Sequence, residues 1–196
     1  MQPMNKEFIV CLDAGHGMST PGKRTPAALG EIYKEHLLNS RVVQSVYNIL
    51  RKRGITAKIT TCYNVNDVSL RQRCYVSNRY NADLFISIHH NAGANLTKAS
   101  GIVLYHYPGK CNAEMAKIFY NDVIRVTGLK GNRANPIKAT KSYYVLKHTK
   151  APAFLLECGF MDSTVDYPII TKGSYSYTVA VGIADFIEHF KERKGL

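Results

Sequence analysis

The chain has 196 residues, 45% hydrophobic and 20% charged, the balance of a globular protein large enough to bury a real core. No run approaches the roughly 18 apolar residues that span a bilayer, and five cysteines, an odd number with no C-x-x-C pair, argue against a disulfide framework or a structural zinc finger. The 26 basic against 14 acidic residues give a formal charge of +12, a balance that favours polyanions such as nucleic acid, an anionic membrane or an anionic wall polymer.

The N-terminus, Met1-Gln-Pro-Met-Asn-Lys-Glu7, lacks the charged and apolar regions of a secretory signal, so synthesis in the cytoplasm without a signal peptide is expected. Residues 7–13 read as a buried strand, followed by a Gly/Pro/Thr-rich loop from Gly15 to Gly30. A helix from about Tyr33 to Arg53 stops at Gly54. Ile55–Thr61 is a second strand, Ser69–Tyr80 a basic amphipathic helix, Leu84–Ile88 a third strand and Gly101–Tyr107 a fourth. Asn112–Val126 is helical and ends near Gly128. Tyr143–Leu146 and Ala153–Leu156 read as two further strands, and a last helix over Tyr177–Arg193 carries Val179, Ile183, Phe186, Ile187 and Phe190 on one face. Residues 92–100 and 129–142 are the only long unpatterned stretches. Between Asp122 and Glu157 there is no acidic residue, whereas Arg125, Lys130, Arg133, Lys138, Lys141, Lys147 and Lys150 fall there. The alternation of strands and helices predicts an α/β fold. With no repeat and no linker, residues 1–196 read as a single catalytic-size domain.

Four groups stand at the ends of apolar segments: His16 in Asp13-Ala-Gly-His-Gly17, Glu35, the pair His89-His90 after Leu84-Phe-Ile-Ser-Ile88, and Glu157 after Ala153-Phe-Leu-Leu156. In open α/β sheets, ligands bind beyond the carboxyl ends of the strands. Positions 35, 38, 42, 46 and 49 follow helical spacing, so Glu35 points along the stripe of Leu38, Val42, Val46 and Ile49; a buried carboxylate there must be paired or metal-bound. Otherwise it is an exposed first-turn acid that complements the helix dipole. Alternation along a strand lets only one of His89 and His90 face the crevice, and spacing leaves open which. Two histidines and a carboxylate with a fourth position free match a catalytic zinc site. Glu157 fits a general base beside such a site better than a fourth ligand that would close it; a salt bridge to a basic neighbour is the structural alternative.

Six motifs in order extend this reading: Asp13-Ala-Gly-His16-Gly, Glu35-His-Leu-Leu-Asn39, Asp67-Val-Ser-Leu-Arg-Gln-Arg73 with Asn78, Ser87-Ile-His89-His-Asn91, Gly101-Ile-Val-Leu-Tyr105 and Glu157-Cys-Gly-Phe160. With them the chain resembles, over essentially its whole length, the zinc-dependent N-acetylmuramoyl-L-alanine amidases of the amidase 3 type. The resemblance implies His16, Glu35 and His89 as zinc ligands, with His90 a neighbour, and Glu157 as the catalytic carboxylate. It implies a three-layer α/β/α sandwich around a mixed, mostly parallel sheet of about six strands. It also implies hydrolysis of the amide between N-acetylmuramic acid and L-alanine in peptidoglycan.

The chain departs from the pattern at Ala14, where proline is common, and in a longer segment before Glu35. With nine residues between Asn91 and Gly101, there is no room for the occluding helix of some relatives, and an open cleft is expected. The expected setting is the cell wall, reached by release or export in the manner of a phage endolysin. Peptidoglycan is the expected partner, with anionic wall polymers as a second; the expectation includes a monomer and neither nucleic acid nor membrane. The competing readings are a zinc peptidase acting on the stem peptide and a basic wall- or nucleic-acid-binding protein, which would leave the four groups unexplained.

Overall fold

The computed structural model describes residues 7–63, 65–93 and 96–195; most of the N-terminal segment and part of the 92–100 loop read above lie outside them. In chain order the elements are β1 (Ile9–Ala14), a 3₁₀ turn (Ala27–Leu29), α1 (Glu35–Lys52), β2 (Thr56–Ile59), α2 (Leu70–Arg79), β3 (Leu84–Asn91), β4 (Val103–His106), α3 (Ala113–Thr127), β5 (Ile137–Ala139), α4 (Tyr144–His148), β6 (Ala153–Phe160), α5 (Tyr167–Ile170) and α6 (Tyr175–Arg193). One six-stranded sheet has the order β2-β1-β3-β6-β4-β5. Every pairing is parallel except β4 against β6. The mixed, mostly parallel α/β architecture is the expected one.

Alternation along the central strands divides the core into two layers. Val10, Leu12, Ala14, Leu84, Ile86, Ile88, Phe154 and Leu156 face α1, α3 and α6. On that side Phe119 of α3 stacks on Phe186 of α6 at 4.1 Å between ring centroids, with Phe154 edge-on to both. Cys11, Phe85, Ala153 and Leu155 face the other way, onto Cys74 of α2 and Val145 and Leu146 of α4. Both faces of the sheet are thereby covered, as a parallel sheet requires. Four cysteines are buried and Cys62 is exposed, all five as free thiols.

Side chains close the helix ends locally. Ser69 Oγ accepts from the Gln72 amide at the start of α2, and Asn112 Oδ1 from the Met115 amide at the start of α3, each an N-cap. No helix among the described residues is long and apolar enough to cross a membrane.

The sequence reading misplaces two segments. Tyr143–Leu146, expected as a strand, begins the short helix α4. A strand would send Val145 and Leu146 to opposite faces, whereas both are buried against the same cluster. The Lys110 ammonium donates to the carbonyls of Leu146, Lys147 and Thr149, satisfying groups that the helix end leaves free. The sixth strand is instead β5, three residues inside a stretch read as loop, paired with β4 at the sheet edge.

Candidate metal centre

His16 leaves the end of β1 with φ 61°, a left-handed conformation uncommon for a non-glycine residue. Its neighbours are glycines because other groups approach them closely. A Cβ on Gly15 would lie 2.1 Å from the His89 ring, and one on Gly17 would lie 2.3 Å from the Asp67 backbone. The strained turn is held from two sides. From α1, His36 Nδ1 and Asn39 Nδ2 donate to the Gly15 carbonyl at 3.0 and 3.1 Å. From α2, Arg73 donates to the carbonyls of Ala14 and His16 and to the carboxylates of Asp13 and Asp67, these four contacts running from 2.5 to 3.2 Å. Arg73 is 1% exposed, and the second oxygen of Asp13 accepts from Ser87 Oγ on β3 at 2.6 Å.

β3 carries its ladder beyond the apolar run, so both histidines lie within the strand. His89 faces the cleft. His90 turns under α1, where its Nδ1 donates to Asn39 Oδ1 at 2.8 Å and burial pushes its pKa down to about 4. Asn39 thus ties the His16 turn to β3. Between His89 and Asn91 the pairing of β3 with β6 shifts register, a bulge of the kind that re-aims side chains near functional sites. His89 and Glu157 are direct partners across that pairing.

Glu35 is the first residue of α1; its amide donates to the Lys23 carbonyl at 2.9 Å. Its Oε1 lies 3.1 Å from His89 Nδ1 and 3.4 Å from His16 Nε2, and one ligand atom from each of His16, Glu35 and His89 lies within 4.8 Å of the others. Two atoms bound tetrahedrally at about 2.1 Å from one ion stand about 3.4 Å apart, so the spacing suits a single metal ion. The electrostatics agree. Burial would raise the Glu35 pKa, but the hydrogen bond and charge of His89 outweigh it and hold the carboxylate at about 2. Burial drives His16 down to about 4 against the charge of Glu35. An ionised carboxylate and a neutral imidazole are the forms that ligate. For His89 the same burial is overcome by Glu35, and its pKa is raised.

Glu157, within β6 rather than past its end, is 9% exposed, and its Oε2 is buried without a hydrogen-bond partner. Burial raises its pKa to about 7. All four groups line one cleft of about 550 Å³, walled by Ser69 and Leu70 on one side and by Tyr143 and Tyr144. An unpartnered carboxylate beside a trio spaced to hold a metal ion is placed as a base would be, which fits hydrolysis.

All four expected site residues therefore meet in one place. The supporting residues Asp13, Ser87, Arg73 and Asn39 had no role assigned from sequence, although three lie in its motifs beside the ligands. The available signal was an arginine on the helix face that must pack on the sheet.

Three kinds of similarity accompany this geometry. The model of the Amidase_3 family, described as N-acetylmuramoyl-L-alanine amidase, matches residues 10–189. The sporulation-specific N-acetylmuramoyl-L-alanine amidase of Bacillus subtilis is 28% identical over 183 residues, covering 91% of this chain and 66% of that protein. The probable cell wall amidase LytH of Staphylococcus epidermidis is 29% identical over 188 residues, 96% of this chain and 60% of that protein. The chain thus spans less than two thirds of these relatives' length. Among solved structures, the N-acetylmuramoyl-L-alanine amidase AmiC2 of Nostoc punctiforme superposes with a TM-score of 0.83 at 26% identity, over 95% of this chain and 98% of that one. An amidase structure from Clostridium difficile 630 shares the fold with a TM-score of 0.85 at 24% identity, over 96% and 99%.

Proposed function

The chain belongs to the amidase 3 family of N-acetylmuramoyl-L-alanine amidases, and on that premise we propose that it is a zinc enzyme that hydrolyses the amide joining N-acetylmuramic acid to L-alanine in peptidoglycan. The observation that carries this reading is the buried, unpartnered Oε2 of Glu157 in the same cleft as the His16, Glu35 and His89 cluster.

In this reading His16, Glu35 and His89 hold the zinc. The bound ion supplies Lewis-acid chemistry, polarising the amide carbonyl and lowering the pKa of water toward about 7. Glu157 takes a proton from the attacking water on Oε2 and returns it to the alanine nitrogen as the C–N bond breaks. The products are a free lactyl carboxylate on the sugar and a new alanine amino-terminus. Arg73 and Asn39 do no chemistry; they hold the His16 turn against strain so that the ligands keep their spacing.

The whole chain, 1–196, acts in this reading as one catalytic unit and a monomer. It reaches the wall by release or export in an endolysin-like manner, with peptidoglycan as substrate. Its positive charge attracts anionic wall polymers rather than nucleic acid or membrane.

End-group analysis of purified peptidoglycan tests the reaction, using wild type and Glu157→Gln, each with and without chelator. Alanine amino-termini without new reducing sugar ends, lost in the variant and on chelation, are expected. Termini of another amino acid would make the enzyme a peptidase, and no product on several wall types would refute hydrolysis.

A further inference from the structure

The segment between β1 and α1 carries three cations that the proposed chemistry does not use. Lys34 donates its ammonium to the Met18 carbonyl. Lys23 and Arg24 are exposed, and among the described residues neither has an acidic partner, whereas Arg53, Arg73, Arg125 and Arg193 all do. The backbone that presents them is fixed. The Lys23 carbonyl accepts from the Glu35 amide, and Thr25, itself buried, donates its amide to the Tyr33 carbonyl while its Oγ1 accepts from the Tyr33 amide and donates to the Glu31 carbonyl. Thr20 Oγ1 takes the Gly17 amide and donates to Asp67 at 2.7 Å.

Lys23 lines the catalytic cleft. It also lines an adjoining groove of about 310 Å³ formed by residues 19–24 and Lys34, a wall with no acidic side chain. Lys23 thus stands at the border of the cleft that holds His16, Glu35 and Glu157 and of the basic groove, with no acidic partner among the described residues. The substrate has two unlike sides. On the sugar side the lactyl group is tied up as the neutral amide, whereas a stem peptide carries its carboxylates on the far side of that amide.

We propose that Lys23, backed by Arg24, forms an anion subsite that takes a carboxylate of the stem peptide just beyond alanine. The leaving peptide then lies toward the β1–α1 segment, and the enzyme prefers stems whose carboxylate is free over stems in which it is amidated. This inference rests on the amidase reading and names the side of its substrate that the cleft selects.

The test uses two N-acetylmuramoyl-alanyl peptides that differ only in a free carboxylate or its carboxamide on the residue after alanine. Release of alanine amino-termini gives kcat/KM for each, and calorimetry with the corresponding free alanyl peptides gives binding to the zinc-loaded protein. Wild type is expected to favour the carboxylate about three- to fivefold in both assays, the size of a solvent-facing ion pair, with the preference shrinking in ~0.5 M salt. Lys23→Met abolishes the preference, Lys23→Arg keeps it and Lys23→Glu reverses it. A wild type that does not discriminate, or a Lys23→Met loss equal for both peptides, would overturn the subsite. Discriminating binding with no alanine released from either compound would sink the amidase reading and leave the subsite standing.

Discussion

Burial raises the Glu157 carboxyl to about 7, and only its ionised form can accept a proton. A bound divalent ion lowers that value; the ionised fraction grows as pH rises through the resulting pKa, so kcat/KM is expected to fall about tenfold per unit on its acid side. An acidic limb that persists unchanged in the residual activity of Glu157→Gln would show that Glu157 is not the titrating base. Arg73 offers a structural counterpart. Its guanidinium is the buried partner of Asp13, and Arg73→Met leaves that carboxylate uncompensated, at a cost of about 3–5 kcal/mol. Arg73→Lys keeps the charge but loses the fork that reaches two carbonyls and two carboxylates, so it should recover only part. Denaturant midpoints for the three proteins measure this order, and equal midpoints would refute it. At this scale the sequence was informative in an uneven way. His16, Glu35, His89 and Glu157 stood out because polar groups ended apolar runs. The division of labour between His89 and His90 did not, because it depends on Asn39, which reaches His90 from a different element.

Among the elements, the turn after β1 makes the sharpest demand. Gly15 faces the His89 ring so closely that Gly15→Ala must displace the ring or the turn. Metal affinity is expected to fall more than tenfold, the scale on which partners of metal ligands act, while the far-UV CD spectrum stays native. Metal-binding isotherms check this, and unchanged affinity would mean that the ring can shift without harm. Element types were legible wherever a periodic apolar pattern was long, as in α1 and α6. They failed where it was short. The aromatic and β-branched run Tyr143-Tyr-Val-Leu146 imitates a strand, and only the single buried cluster beneath it and Lys110 above its end make it helical. β5, at three residues, has no period to read. β3 and β6 were cut short because a polar residue, His89 or Glu157, follows the apolar run, although the strands continue to Asn91 and Phe160.

For the whole molecule, +12 is the dominant electrostatic fact. If it draws the enzyme to wall polyanions, sedimentation with intact walls should drop steeply between low salt and ~0.5 M, where exposed charges are screened within a few ångströms. Removing the anionic polymers should have the same effect; salt-insensitive binding would refute the idea. The sheet order has a consequence of another kind. β6 is late in the chain yet sits between β3 and β4, and it alone brings Glu157 beside His89. A ribosome-bound fragment that stops before Ala153 has His16, Glu35 and His89 but an open gap at the centre of its sheet. Contacts so distant in sequence form slowly, and the bare margins of β3 and β4 are templates for sticking to other chains. On the proposed function, the order of synthesis therefore withholds the base from the cleft until the last strand of the sheet has been made.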